Sequence, residues 1–217
     1  MPELAFALLE VAPARHAALP TLAFRLGLRQ VGAPVPIRSL SLQCQLRIDA
    51  RKRRYASSEQ QRLTDLFGAP ERWAHTLQSL LWTQVQLLVP GFEEQTEAVL
   101  PVPVSFDFGI AATRYFHGLE QGELPLLLLF SGNIFYLDAE GSLAMGPIDW
   151  AAEIQAHVPL AVWRALRDEY YPDLTWLGVR RATFEALDAY KRSLGVTGYD
   201  EALQRLLPEA PSTAVVQ

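Results

Sequence analysis

The chain has 217 residues, 19 Lys and Arg against 24 Asp and Glu, and a net charge of -5, which leaves no global attraction to nucleic acid or to an anionic membrane. Half of it is hydrophobic and a fifth is charged, ample material for a core that hides roughly 70% of the unfolded surface. Cys44 is the only cysteine, so no intrachain disulfide forms, as in a reducing compartment.

The N-terminus, Met1-Pro2-Glu3-Leu4, has no basic region followed by an apolar stretch, so no signal peptide is expected. The longest apolar run, Leu124 to Phe130, is broken by Pro125 and is too short to cross a bilayer. The expectation is a soluble cytoplasmic protein of one large domain with an appendage.

Phe6 and Leu8 suggest a first strand ending near Pro13. The clearest signal follows, a two-residue alternation of the strand period. Leu22, Phe24, Leu26 and Leu28 point one way. After the turn-rich Val31 to Pro36, Leu40, Leu42, Cys44, Leu46 and Ile48 form a dry face opposite Ser39, Ser41, Gln43, Gln45, Arg47 and Asp49. One dry and one wet face mark an antiparallel sheet packed on one side.

A helical insertion is expected at about 57–81. Ser58 and Gln61 have capping-box spacing, Leu63, Leu66 and Phe67 form a stripe, and Gly68-Ala69-Pro70 ends it. Trp73, Leu77, Leu80 and Leu81 predict a second short helix, and Trp82 to Val89 a strand. Val102, Val104, Phe106, Phe108 and Ile110 alternate as a further strand, with Pro101 and Pro103 placing its start at a sheet edge or bend.

His117 to Gly122 reads as a turn, and Leu124 to Leu129 as a central strand buried on both faces. Ser131-Gly132-Asn133 breaks that strand, Ile134-Phe135-Tyr136 continues it, and Asp138 to Gly141 is a turn. Beyond Pro147 the pattern reads as helical: Leu160, Trp163, Leu166 and Tyr170 after Pro159; then Phe184, Leu187, Tyr190 and Leu194, stopped by Gly195; then Tyr199, Leu203, Leu206 and Leu207.

The search for chemistry finds little. His16, His75, His117 and His157 stand alone, without metal-ligand spacing, so neither metal nor cofactor is expected. Cys44 lies in the dry strand face and reads as an inert core thiol. Ser131 lacks the flanking glycines of a nucleophile elbow, and no phosphate-binding glycine loop follows a strand.

Two sets of residues suit a protein partner. Arg51-Lys52-Arg53-Arg54-Tyr55 is the one strong basic run; it fits a solvated turn or contact with an acidic protein surface. As exposed charges contribute little to folding, Arg53 and Arg54 are expected to be replaceable at almost no cost in stability. Of the C-terminal aromatics, Trp163 and Tyr170 should dock a helix on the sheet, leaving Tyr171 and Trp176 for a partner.

Pro20 to Phe24, Leu42 to Ile48, Leu124 to Tyr136 with its Phe-Ser-Gly core, Val162-Trp163-Arg164 and Tyr171-Pro172 together resemble an uncharacterised bacterial family over nearly the whole chain. Its members are associated with gene clusters of actinobacterial-type uptake nickel–iron hydrogenases. The resemblance implies an accessory role in assembling or maturing such an enzyme, and brings no catalytic residues with it. A fainter likeness, in strand pattern alone, is to the export chaperone SecB; an immunoglobulin-like arrangement is the preferred reading.

The expected fold is mainly β with α: an antiparallel, immunoglobulin-like β-sandwich of about six to eight strands. It spans 1–150, with a C-terminal helical layer over 151–209 and a flexible tail over 210–217. The expected function is non-enzymatic protein binding, with no nucleic-acid or membrane partner. The alternatives are an enzyme assembled from scattered residues such as Asp107, His117 and Glu120, and a small-ligand carrier.

Overall fold

A computed structural model describes residues 2–207. They form two compact units, Met1–Trp176 and Leu177–Gln217. The first holds eight strands in two antiparallel sheets. The three-stranded sheet has the order β1 (Glu3–Pro13), β2 (Thr21–Val31), β5 (Gln95–Pro103). The five-stranded sheet runs β4 (Leu80–Phe92), β3 (Ile37–Ile48), β6 (Glu123–Leu137), β7 (Leu143–Pro147). Its fifth strand, β8 (Glu153–Pro159), pairs with the first half of β6, and β7 with the second half.

The dry faces of β2 and β3 meet across one core. Leu22, Phe24, Leu26 and Leu28 face Leu40, Leu42, Cys44, Leu46 and Ile48, all buried. Phe6 of β1 stacks on Phe130 of β6 at 4.3 Å, and Phe24 of β2 meets Trp82 of β4 edge-on at 6.1 Å, so aromatic pairs join the sheets. Pro101 and Pro103 lie in β5, an edge strand, where a missing N–H breaks no ladder. β6 lies between β3 and its partners β7 and β8, but buries Leu124, Leu126, Leu128 and Phe130 on one face and leaves Leu127 and Leu129 half-covered on the other. It is therefore not buried on both sides.

Ser131-Gly132-Asn133 does not break β6. Gly132 takes a φ of +133° and lets the strand pass the Ser41 carbonyl, where any side chain would overlap the oxygen. The insertion between β3 and β4 holds α1 (Ser57–Arg62), α2 (Thr64–Phe67) and α3 (Trp73–Thr76). Leu80 and Leu81 belong to β4, not to a helix. The capping residue is Glu59 rather than Ser58, its carboxylate accepting the Ala56 N–H at 3.0 Å.

Two further expectations fail. The strand predicted through Ile110 ends at Pro103, and Ala111–Gly118 is a helix, α4. Its core side is Ala112, Tyr115 and Phe116, a helical spacing that the preceding alternation masks. Residues 153–159 are a strand, where the sequence past Pro147 reads as helical. Pro159 closes β8 and caps α5 (Leu160–Tyr170), which buries Leu160, Trp163 and Leu166.

The second unit contains α6 (Arg181–Ser193), stopped by Gly195 at a φ of +68°, and α7 (Tyr199–Leu206). Tyr199 joins them, its hydroxyl donating to Asp188 at 2.8 Å and its ring lying under Lys191 at 4.1 Å. The tail expected over 210–217 lies outside the described residues.

Candidate protein-docking surface

The outer face of the five-stranded sheet follows from the registers, because paired residues share a face. One row across the strands is Pro90, Ser39, Phe135 and Met145; the next is Leu88, Ser41, Asn133 and Pro147. Then come Gln86, Gln43 and Ser131, and after them Gln84, Gln45, Leu129 and Glu153. The last row is Leu81, Arg47, Leu127 and Gln155. Only Arg47 and Glu153 carry charge here, and Arg47 is held by the Ser79 hydroxyl at 2.9 Å. Leu88 is 70% exposed and Met145 62% exposed.

A protein surface ordinarily spaces charges across such a plane, and their depletion is the compositional mark of an interface. Trp150, on the turn joining β7 to β8, is 93% exposed. A tryptophan in water with nothing to cover it is a ready anchor for a partner. The sequence shows the Ser39-to-Arg47 half of this face as a wet strand surface; the strands that complete it, and Trp150, appear only with the register.

At the end of β3 the basic run forms a corner beside this face. Lys52 Nζ donates to Gln155 Oε1 of β8, tying the corner to the last row. Arg51 pairs with Asp49 at 3.2 Å but stays exposed, and Arg54 is exposed. Arg53 is different, and the expectation of a replaceable solvated charge fails there. Its guanidinium pairs with buried Glu59 at 2.7 Å and donates to the Glu123 carbonyl at 2.7 Å and to that of Gln121. Burial alone would raise the Glu59 pKa, but the Glu120 and Ala56 N–H groups and Arg53 outweigh it and hold it below the usual range.

Tyr55 donates to the Ala50 carbonyl at 2.6 Å and shares a 2.9 Å hydrogen bond with the Tyr115 hydroxyl. Burial raises both phenol pKa values, that of Tyr115 to about 12. Trp73 meets Tyr55 edge-on at 5.2 Å. Arg51, Arg54, Tyr55 and Trp73 thus line a shallow recess of about 620 Å³, basic at its rim and aromatic on its wall.

Tyr171 packs edge-on against Phe106 at 5.6 Å and Trp176 at 5.2 Å. Trp176 is 44% exposed, and its carbonyl accepts the Phe108 N–H at 3.1 Å. The scattered residues named for an enzyme are engaged separately. Asp107 accepts the Gly109 N–H at 2.7 Å, Glu120 meets Arg62 at 3.3 Å, and His117 lies between Phe108 and Trp163. Among the described residues no group of three or more His, Cys, Asp or Glu is placed to hold a metal, and no helix is long and apolar enough to cross a membrane.

The class these observations define is a mainly antiparallel β protein with helices, two sheets enclosing one core. The chain belongs to the family of unknown function DUF6084, whose model matches residues 1–215. No curated protein matches it. Among solved structures, a Bordetella pertussis protein provisionally named ApaA is similar at 13% identity, over 73% of this chain and 95% of that one, with a TM-score of 0.26; a likeness at this level carries no argument.

Proposed function

We propose that this is a non-enzymatic accessory protein that docks another protein on the outer face of its five-stranded sheet. The observation that carries the reading is the near absence of charge from that face, with Leu88, Phe135 and Met145 at one end. The basic corner flanks the other end, linked to it through Lys52 and Gln155. From the Met145 row to the Gln155 row the surface runs eight residues along β6, about 27 Å. The partner element that fits is a strand or helix of that length with apolar side chains followed by carboxylates, which Arg51 and Arg54 would meet in the recess over Tyr55.

The scaffold we assign is an immunoglobulin-like sandwich. Strands one, two and five facing four, three, six and seven is the order in which the fourth strand moves to the edge of the second sheet. Such sandwiches present flat sheet faces and clustered loops to partners. The setting we propose, from the resemblance, is assembly or maturation of a nickel–iron hydrogenase in the cytoplasm.

The test is affinity capture from the native host with the wild type, Met145→Glu, and the pair Arg51→Glu and Arg54→Glu. A charge placed in the apolar end should weaken capture by roughly 2 kcal/mol or more, about thirty-fold. The arginine pair should weaken it less and make it insensitive to salt. Melting temperatures should stay unchanged. Capture of the same partner by Met145→Glu at wild-type strength refutes this surface; loss with Trp176→Ala instead would move the site to Tyr171 and Trp176.

A further inference from the structure

Between the insertion and α4 lies a second pocket, of about 300 Å³, at the lower end of the range for small-ligand sites. Arg62 of α1, Asp65 and Leu66 of α2, Phe108, and Arg114 and His117 of α4 form its walls. Its walls carry two guanidiniums against one carboxylate, beside an imidazole whose surroundings disfavour its charged form. Arg62 meets Glu120 at 3.3 Å at an exposed rim.

Arg114 forms no ion pair among the described residues, and its Nε is buried without a hydrogen-bond partner. An N–H buried without an acceptor is costly, and no group among the described residues accepts from this Nε. The neighbouring cations are committed elsewhere, Arg164 to the Leu119 carbonyl at 2.9 Å and Arg167 to Asp168 at 2.7 Å.

The rest of the wall is apolar. The Phe108 ring lies 4.3 Å from that of His117, whose other neighbour is the Trp163 ring at 4.9 Å, and Leu66 closes the side. We propose that this pocket binds a small organic anion, with its carboxylate or phosphate on Arg114 and Arg62 and its apolar part against Phe108 and Leu66. A guanidinium presents paired N–H donors that fit either group. His117 serves as reporter. Burial, then Arg167 and Arg164 of α5, lower its pKa, while Arg114, Arg62 and Asp65 are the other charged groups on the pocket wall. An anion bound among these cations offsets their repulsion and raises that pKa.

The experiment titrates the full chain with benzoate and, separately, with inorganic phosphate, against sodium chloride at matched ionic strength. The imidazole NMR signal of His117, identified by its loss in His117→Asn, is followed. A saturable shift is expected with at least one probe below about 20 mM, together with an upward move of the His117 titration midpoint. Benzoate alone assigns a carboxylate ligand, phosphate alone a phosphate-bearing one, and both a site that takes either anion. Arg114→Met should weaken binding about ten-fold or more without lowering the melting temperature. Should that variant fail to fold, Arg62→Met at the exposed rim replaces it, with a smaller loss. No saturable shift with either probe, or wild-type affinity in the folded variant, overturns the proposal.

Discussion

Glu59 and Arg53 form the most consequential pair in the molecule. Glu59 is 3% exposed and accepts from Arg53, Ala56 and Glu120, fastening α1 to β6 and to the end of α4. Removing one partner of a buried pair typically costs about 3–5 kcal/mol, because the other charge is left without compensation. Arg53→Met should therefore lower the denaturant midpoint sharply, whereas Arg54→Met should not. The pH dependence has a definite sign. A carboxyl held below its unfolded value of about 4.3 stabilises the fold fully above that pH and loses the contribution as pH falls through the lower folded value. The stability gap between the wild type and Glu59→Gln should be constant near neutrality and shrink only below about pH 4. Cys44 is fully buried in β3, and burial pushes its thiol pKa up to about 12. Native protein should resist thiol reagents that label the denatured chain at once. Cys44→Ser should cost roughly 1–3 kcal/mol for a buried hydroxyl without a partner.

Among the elements, α5 is docked by one side chain above all. Trp163 is 1% exposed and packs against Phe106 at 5.3 Å and Phe116 at 5.4 Å. Trp163→Ala should cost about 3–5 kcal/mol in a denaturant melt. Trp163→Phe should cost far less, because the indole Nε1 is buried without a partner among the described residues and its loss removes an unsatisfied donor. The stripe through Leu160, Trp163 and Leu166 is plain in the sequence, as are the dry faces of β2 and β3, because a repeated spacing survives without tertiary context. β8 is obscured by its composition and by the alanines before it: Glu153, Gln155 and Ala156 favour a helix, and only pairing with β6 draws their alternation into the sheet. α4 is hidden because the alternation ahead of it runs on to Ile110. The same limit applies to the docking face. Ser39 to Arg47 can be seen as a wet strand surface, but its neighbours are set by register, a long-range property. Arg53 reads as one of four equivalent cations until Glu59, Gln121 and Glu123 are brought round it.

Considered whole, among the described residues every member of the main hydrophobic cluster lies before Trp176, within the first compact unit, and Ala202 is buried separately in the second. A chain ending at residue 176 should accordingly unfold in one cooperative transition, while a broad non-cooperative melt would assign Leu177–Gln217 a part in the core. β6 has one more consequence, in time rather than in energy. It is the strand on which β3, β7 and β8 all pair, yet Gln43 and Ser131, adjacent across the β3–β6 ladder, are 88 residues apart in the chain. A ribosome must complete more than half of the protein before β3 can meet β6. Until then the β3 edge from Ile37 to Ile48 waits without its central strand. Topologies that close such distant pairs refold over milliseconds to seconds, not microseconds. This nascent chain therefore passes through an interval in which the edge of β3 that pairs with β6 is open to capture by chaperones.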